Sequence, residues 1–279
     1  MAKVSICIPA YEQPAYFERT LNATLEQDYG DFEVVVTDDS RGDEIAVVCH
    51  TANDRRIRYF KNRIRMGSPA NWNEAVDHAR GSLIKLMHHD DCFASPQSLR
   101  RFVRLIESAP HASLGFAAAT SVDPEQRPKG VYSPSAWIER MRHDPRVLLV
   151  GNWVGAPSAT IYRRTVGARF DETLRWVVDL DFYLSVLTRN PAFAYDPEPL
   201  VRVTDGATHQ VTAEVANDPQ AAVYEWFRLY GRWAPRPALR GERAAFIAEL
   251  IRHRGLGWRD YKTLGLSGRS ARLFATAVV

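Results

Sequence analysis

Three short polar clusters hold most of the residues in this 279-residue chain that could do chemistry together: Pro9, Ala10, Tyr11 and Glu12; Asp38, Asp39 and Ser40; and His88, His89, Asp90 and Asp91. Adjacent carboxylates repel and raise one another's pKa unless a cation lies between them. A hard divalent ion supplies that compensation. Mg2+ or Mn2+ held by one or two carboxylates, with phosphate oxygens and water filling the other positions, is the usual arrangement for a diphosphate substrate. His88, His89 and Cys92 raise zinc as an alternative. Successive side chains of an extended strand point to opposite faces, however, so His88, His89, Asp90, Asp91 and Cys92 are not all expected to face one ion. No GxxxxGK followed by Ser or Thr occurs, and no GxGxxG follows the first apolar run, so neither standard glycine-rich phosphate cradle is present. A diphosphate bound here would rely on the metal to neutralise its charge.

The elements that position these clusters follow from the hydrophobic pattern. Short apolar, β-branched runs at residues 4–8, 33–37, 57–60, 83–87 and 113–118 alternate with stretches of helical period, which predicts βαβ units and a parallel sheet. Phe17, Leu21, Thr24 and Leu25 mark one helix face. Ser68-Pro69 reads as an N-cap and first helical residue, opening a helix through Ala79 that Gly81 ends. Ser95-Pro96 repeats that signal before the stripe Leu99, Phe102, Val103, Ile106. The three clusters then fall just past the ends of predicted parallel strands, where open α/β sheets bind ligands.

Residues 122–155 read as irregular, rich in Pro, Arg and aromatics, and are expected to cover substrate; Trp137, Trp153 and Tyr132 there suit either stacking on sugar faces or packing. Beyond them come a strand at 159–162, a helix at 178–188 and extended segments through Phe193 and at 200–203. From about residue 213 the pattern is helical, broken at Pro235 and Pro237.

Composition excludes a disordered or fibrous chain, with 46% hydrophobic and 25% charged residues. There is no run of about 18 apolar residues and no secretory pattern, so a cytoplasmic protein is expected. Cys7, Cys49 and Cys92 lack CxxC spacing and read as buried thiols of a reducing compartment. Residues 228–279 carry 11 Lys/Arg against 3 Asp/Glu, whereas the remainder carries 25 against 30. That asymmetry fits either a solvated helical surface or peripheral contact with the anionic inner face of the plasma membrane. No nucleic-acid motif accompanies it, so a nucleic-acid partner is not expected.

The segments VSICIPAYEQPAYFERTLNATLEQDYGDFEVVVTDDS, NRIRMGSPANWNEAVDHARGSLIKLMHHDDCFASPQSL and VVDLDFYL, spread over residues 3–205, resemble the family-two glycosyltransferases of the GT-A fold. The resemblance implies an α/β fold, a mostly parallel twisted sheet flanked by helices. It places a catalytic domain at residues 1–215, with a nucleotide-binding half to about 120 and an acceptor half from 121, and a basic helical C-terminal extension at 216–279. It implies an inverting, metal-assisted transfer of a sugar from a nucleoside-diphosphate sugar to the hydroxyl of a sugar or lipid-linked acceptor. Tyr11 and the backbone around Pro9 and Ala10 would line the nucleoside pocket, with Glu12 in the same cluster, and Asp39 would hydrogen-bond the base or a group close to it. Arg65, Asn71 and Asn73 match the segment that closes over the nucleotide. The family's metal-binding DxD region falls on residues 88–91, where His88 departs from the pattern; Asp91 is favoured for the metal and Asp90 for the donor sugar or ribose, though the two could exchange roles. Asp179 takes the place of the catalytic base, and His209 resembles a histidine near the diphosphate, a further metal candidate.

Two other readings compete. A sugar nucleotidyltransferase would need a glycine-rich basic loop after the first strand, which PAYEQP is not. A non-catalytic sugar-nucleotide or glycan-binding module is suggested by His88 but opposed by the retention of Asp90, Asp91 and Asp179.

Overall fold

The computed structural model describes residues 2–211, 218–233 and 240–253, with isolated positions 256, 257, 260, 272 and 275. Its sheet has the strand order β3-β2-β1-β4-β8-β6-β9-β5, and β7 pairs with β6. Strands β1 (Val4–Ala10), β2 (Phe32–Asp38), β3 (Ile57–Lys61) and β4 (Leu83–Leu86) run parallel. Strand β6 (Leu114–Val122) is parallel to β9 (Phe193–Thr204), while β5 (Cys92–Phe93), β7 (Pro128–Tyr132) and β8 (Thr160–Arg163) pair antiparallel.

Every residue of β1 and β2 is buried, as in a sheet covered on both faces. Alternation along the strands sends Cys7, Val35, Ile84 and Leu86 into one core cluster and Ile6, Ile8, Val34 and Val36 into the other. Helix α1 (Pro14–Leu25) buries Phe17 and Leu21 as the sequence predicts, and α4 (Ser98–Glu107) buries the Leu99, Phe102, Val103, Ile106 stripe.

Several local expectations change. Helix α2 (Glu44–Ala52) was not singled out from the sequence; of its residues only Ile45 and Cys49, one turn apart, are buried. Helix α3 (Ser68–His78) is capped by Gly67 at φ 85°, with Ser68 already inside the first turn. Ser95 precedes α4 by three residues, and its N–H donates to the Ser98 hydroxyl. The segment expected to be irregular contains β7, helix α5 (Ile138–His143) and 3-10 turns, and buries Met141, Val147, Leu148 and Leu149 in the main core. Residues 193–204 form one continuous strand rather than two pieces.

Helix α6 (Val178–Leu187) is packed by the C-terminal region. Helix α7 (Pro219–Trp233) sends Trp226 and Leu229 into the main core and Val223, Phe227 and Tyr230 toward Ile247 and Ile251 of α8 (Arg240–His253). Among the described residues after 216 are these two helices, and α7 shares the core of residues 1–211. Pro235, Pro237 and much of the basic stretch lie outside the described residues. The three cysteines are buried and free, and no helix among the described residues is long and apolar enough to cross a membrane.

Candidate functional site

The three polar clusters meet at the C-terminal edge of β1, β2 and β4. The Asp39 N–H donates to the Ala10 carbonyl at 3.0 Å, and the Glu12 N–H donates to the Ser40 hydroxyl at 2.6 Å. The Thr20 hydroxyl donates to the His89 carbonyl at 2.8 Å, tying α1 to the third cluster. Glu12 and Gln13 both have positive φ, 52° and 57°, a conformation that costs non-glycine residues on the order of 1 kcal/mol each. The Glu12 carboxylate also accepts from the Arg41 N–H. Two sequence-predicted residues touch across this edge, since the Arg65 guanidinium lies 4.3 Å from the centre of the Tyr11 ring.

Asp38 is fully buried, and although burial works against its charge, hydrogen bonds from Ser40, Tyr59 and Lys61 hold its carboxyl below the usual range. Asp39 faces the other way. Its carboxylate accepts from Asn62, from the Met66 N–H at 2.8 Å and from the Gly67 N–H at 2.9 Å, so it holds the loop that presents Arg65. Asn71 is buried and donates to the Ala10 and Thr37 carbonyls, bracing the ends of β1 and β2. Asn73 departs from expectation. It donates to the Phe170 carbonyl and the Glu172 carboxylate and accepts from the Phe170 N–H, so its amide is committed to another segment rather than turned toward a nucleotide.

Residues 88–91 form a turn after β4 ends at Leu86, closed by the Asp91 N–H donating to the His88 carbonyl. Strand alternation therefore does not govern them, and His88, Asp90 and Asp91 each place a ligand atom within 4.8 Å of the others. Asp90 Oδ2 meets His209 Nε2 at 3.2 Å and accepts from Gln210 at 2.9 Å. Asp91 Oδ1 accepts from the Thr204 N–H at 2.9 Å, but Oδ2 is buried without a hydrogen-bond partner, as is His88 Nε2. Burial and the neighbouring Asp90 push the Asp91 carboxyl well above its ordinary value. Burial holds the His88 imidazole at about 4, hence neutral. Orphaned acceptors beside paired carboxylates fit a divalent cation. His89 turns away, within hydrogen-bonding reach of the Pro9 backbone.

Lys85 was not singled out by sequence. It is fully buried in β4, donates to the Ser158 and Leu86 carbonyls, and is pushed down to about 7 by burial. Ser158 in turn accepts from the His88 N–H at 2.9 Å.

Asp179 sits in the first turn of α6, half-buried. Asn152 Nδ2 donates to its Oδ2 at 2.6 Å, and the Leu180 N–H donates to Oδ1 at 2.8 Å. Burial nevertheless pushes its carboxyl up to about 6. The Asn152 oxygen accepts from the Val154 and Gly155 N–H groups, and Tyr183, one turn after Asp179, donates to the Gly155 carbonyl. The loop 152–158 thus joins Asp179 at one end to the His88 turn at the other. Six residues span at most about 20 Å, less with Gly155 turned to φ 94°.

Trp153, in this loop, stacks on Trp137, centroids 4.0 Å apart and planes within 8°. Arg140 lies over Trp137, and a Cβ on Gly151 would come within 2.8 Å of Trp153. These rings are packing partners of one another, and Tyr132 donates to the Asn152 carbonyl.

Helix α7 reaches α6 directly. The buried Glu225 carboxylate accepts from the N–H groups of Arg175, Trp176 and Val177 just ahead of α6, at 2.7, 2.7 and 3.1 Å. Asp181 is buried and accepts from Arg232 and the Trp233 indole, both at 2.9 Å. Glu225 and Asn152 carry no motif of their own; both were missed because their partners are distant in sequence.

Comparison with known proteins agrees with this geometry. Residues 5–167 match the family model described as Glycosyl transferase family 2. An uncharacterised protein of Mycobacterium tuberculosis is 31% identical over 219 residues, covering 74% of this chain and 68% of the relative. Among solved structures, S. aureus TarS residues 1–349 in complex with UDP-GlcNAc superposes with a TM-score of 0.67 at 17% identity, covering 99% of this chain and 79% of that one. A mannosyltransferase from Pyrobaculum calidifontis in complex with GDP-Man and Mn2+ gives a TM-score of 0.65 at 16% identity, with coverage of 99% and 79%.

Proposed function

The chain belongs to glycosyl transferase family 2, an inverting glycosyltransferase that moves sugar from a nucleotide sugar, and on that premise we propose which of its residues carry the transfer. Asp179 is the base. It accepts the proton of an acceptor hydroxyl as that oxygen attacks the anomeric carbon, which inverts the centre without a covalent intermediate. The observation that carries this reading is the loop 152–158, which hydrogen-bonds Asp179 through Asn152 and the His88 turn through Ser158. A carboxyl held near 6 is ionised at neutral pH yet basic enough to take a proton in the transition state.

Tyr11, Arg65 and the backbone of Pro9 and Ala10 line the nucleoside pocket, with Glu12 fixing the turn between them. Asp39 accepts a hydrogen bond from the base in exchange for one of the loop N–H groups it now holds. Asn71 acts by holding the strand ends. Asp90 and Asp91 would hold Mn2+ or Mg2+, with His209 and Gln210 orienting Asp90. That ion, when bound, supplies electrostatic stabilisation for the departing nucleoside diphosphate. The acceptor is a sugar or a lipid-linked glycan hydroxyl, in polysaccharide or glycoconjugate synthesis. Arg228 and Arg232, at the start of the basic segment, are bonded to Thr173, Asp171 and Asp181, so a membrane contact would rest on basic residues beyond them.

The test is release of nucleoside diphosphate from a panel of UDP-, dTDP- and GDP-sugars with Mn2+ or Mg2+. Release from one donor that stops on chelation and in Asp179→Asn supports the assignment. Undiminished transfer by Asp179→Asn removes Asp179 from it.

A further inference from the structure

The turn after β4 offers a nitrogen donor beside two carboxylates, and its surroundings keep that nitrogen in place. The His88 N–H is bonded to Ser158 Oγ, and the imidazole packs against the Trp72 ring, centroids 4.8 Å apart. His88 Nδ1 lies 3.7 Å from Asp91 Oδ2, too far for a hydrogen bond. Asp91 is only 2% exposed, and neither its Oδ2 nor His88 Nε2 has a hydrogen-bond partner. A buried polar atom left unpaired costs about 1–3 kcal/mol. Asp91 Oδ2, unpaired, with His88 Nδ1 3.7 Å away and His88, Asp90 and Asp91 each offering a ligand atom within 4.8 Å of the others, marks a place for a ligand rather than for mutual pairing.

We propose that His88 is itself a metal ligand and that its imidazole makes the site select a first-row transition ion, Mn2+ foremost, over Mg2+. The inference rests on reading the site as metal-assisted. Mg2+ demands oxygen ligands in near-ideal octahedral geometry, whereas imidazole nitrogen favours transition ions. An imidazole also brings no negative charge. What the site loses in charge, a transition ion recovers through its bond to nitrogen.

The test uses the full chain with UDP and, separately, GDP. Mn2+ binding is followed by the loss of the free-ion electron paramagnetic resonance signal, with Mg2+ as competitor. Pulsed measurements on the bound ion read out nitrogen coupling, and 15N-labelled protein separates imidazole from nucleotide nitrogen. Bound Mn2+ should show protein nitrogen coupling and resist Mg2+. His88→Asp and His88→Gln should abolish the coupling, and His88→Asp should lower the ratio of Mn2+ to Mg2+ affinity. His209→Ala should keep the coupling. Coupling that survives in both His88 variants, or disappears in His209→Ala, overturns the proposal, as does an unchanged Mn2+ to Mg2+ ratio in His88→Asp. Bound Mn2+ without protein nitrogen coupling in the unsubstituted chain overturns it while leaving a metal-assisted site intact. No bound Mn2+ with either nucleotide overturns both.

Discussion

Asn152 Nδ2 stands 2.6 Å from Asp179 Oδ2, and the same amide accepts from two N–H groups of its own loop, so the proposed base and the loop beside it share one hinge of hydrogen bonds. A hydrogen bond to a carboxylate favours its charged form. Asn152→Ala should therefore raise the Asp179 pKa by about one unit or more. The acid limb of the kcat profile should move to higher pH and its plateau fall about tenfold as the base loses its fixed orientation. Donor KM should stay near its original value. An unmoved acid limb would show that Asn152 serves the loop alone.

Asp179→Asn should lower kcat about a hundred- to ten-thousandfold while leaving nucleotide binding, measured by calorimetry, intact. The carboxyl's folded pKa of about 6 lies above its ordinary 3.8. Between those values the folded protein keeps a proton that the unfolded chain has released, so stability falls as pH rises through this window and the cost persists above it. The same substitution should raise stability at pH 7.5 by about 1–3 kcal/mol, seen as a higher Tm.

For the unsubstituted enzyme, a base titrating near 6 predicts transfer that is lost as pH falls through that value and level above it until another group titrates. A kcat profile flat from pH 5 to 8 would argue for a different proton acceptor.

Glu225→Ala removes the acceptor of three N–H groups ahead of α6, and should cost about 3 kcal/mol or more. Glu225→Gln keeps an oxygen there and should cost less. A chain ending at residue 217 should fail to give a cooperative unfolding transition, because Trp226 and Leu229 belong to the main core.

Asn73→Ala tests a role that geometry reassigns. Its bonds to Phe170 and Glu172 predict a loss of stability of about 2 kcal/mol with little change in donor KM. A raised KM at unchanged stability would return Asn73 to the donor site.

The polar edge beyond β1, β2 and β4 was legible in sequence because it is built from local signals. Buried strands β1, β2 and β4 end in polar residues, and the edge follows from strand direction alone. His88, Asp90 and Asp91 converge while His89 and Cys92 stay out of the group, so the five residues do not all face one ion, but the reason is the turn after β4 rather than strand alternation. Residues 122–155 looked irregular because their helical turns are too short to repeat an apolar period, yet they fill the core. Asn152 and Glu225 could not be read at all. Their partners lie 27 and about 50 residues away, and an asparagine in a glycine-bearing loop or a glutamate on a helix is unremarkable until the fold brings it to Asp179 or α6.

The link from Glu225 back to the start of α6 also sets an order of events during synthesis. As the chain leaves the ribosome, β1 through β4 can pair and the polar edge beyond them can assemble. The three N–H groups before α6 then wait for a carboxylate 48–50 residues further on. The start of the helix that carries the proposed base therefore cannot be fastened until translation has run well past Asp179.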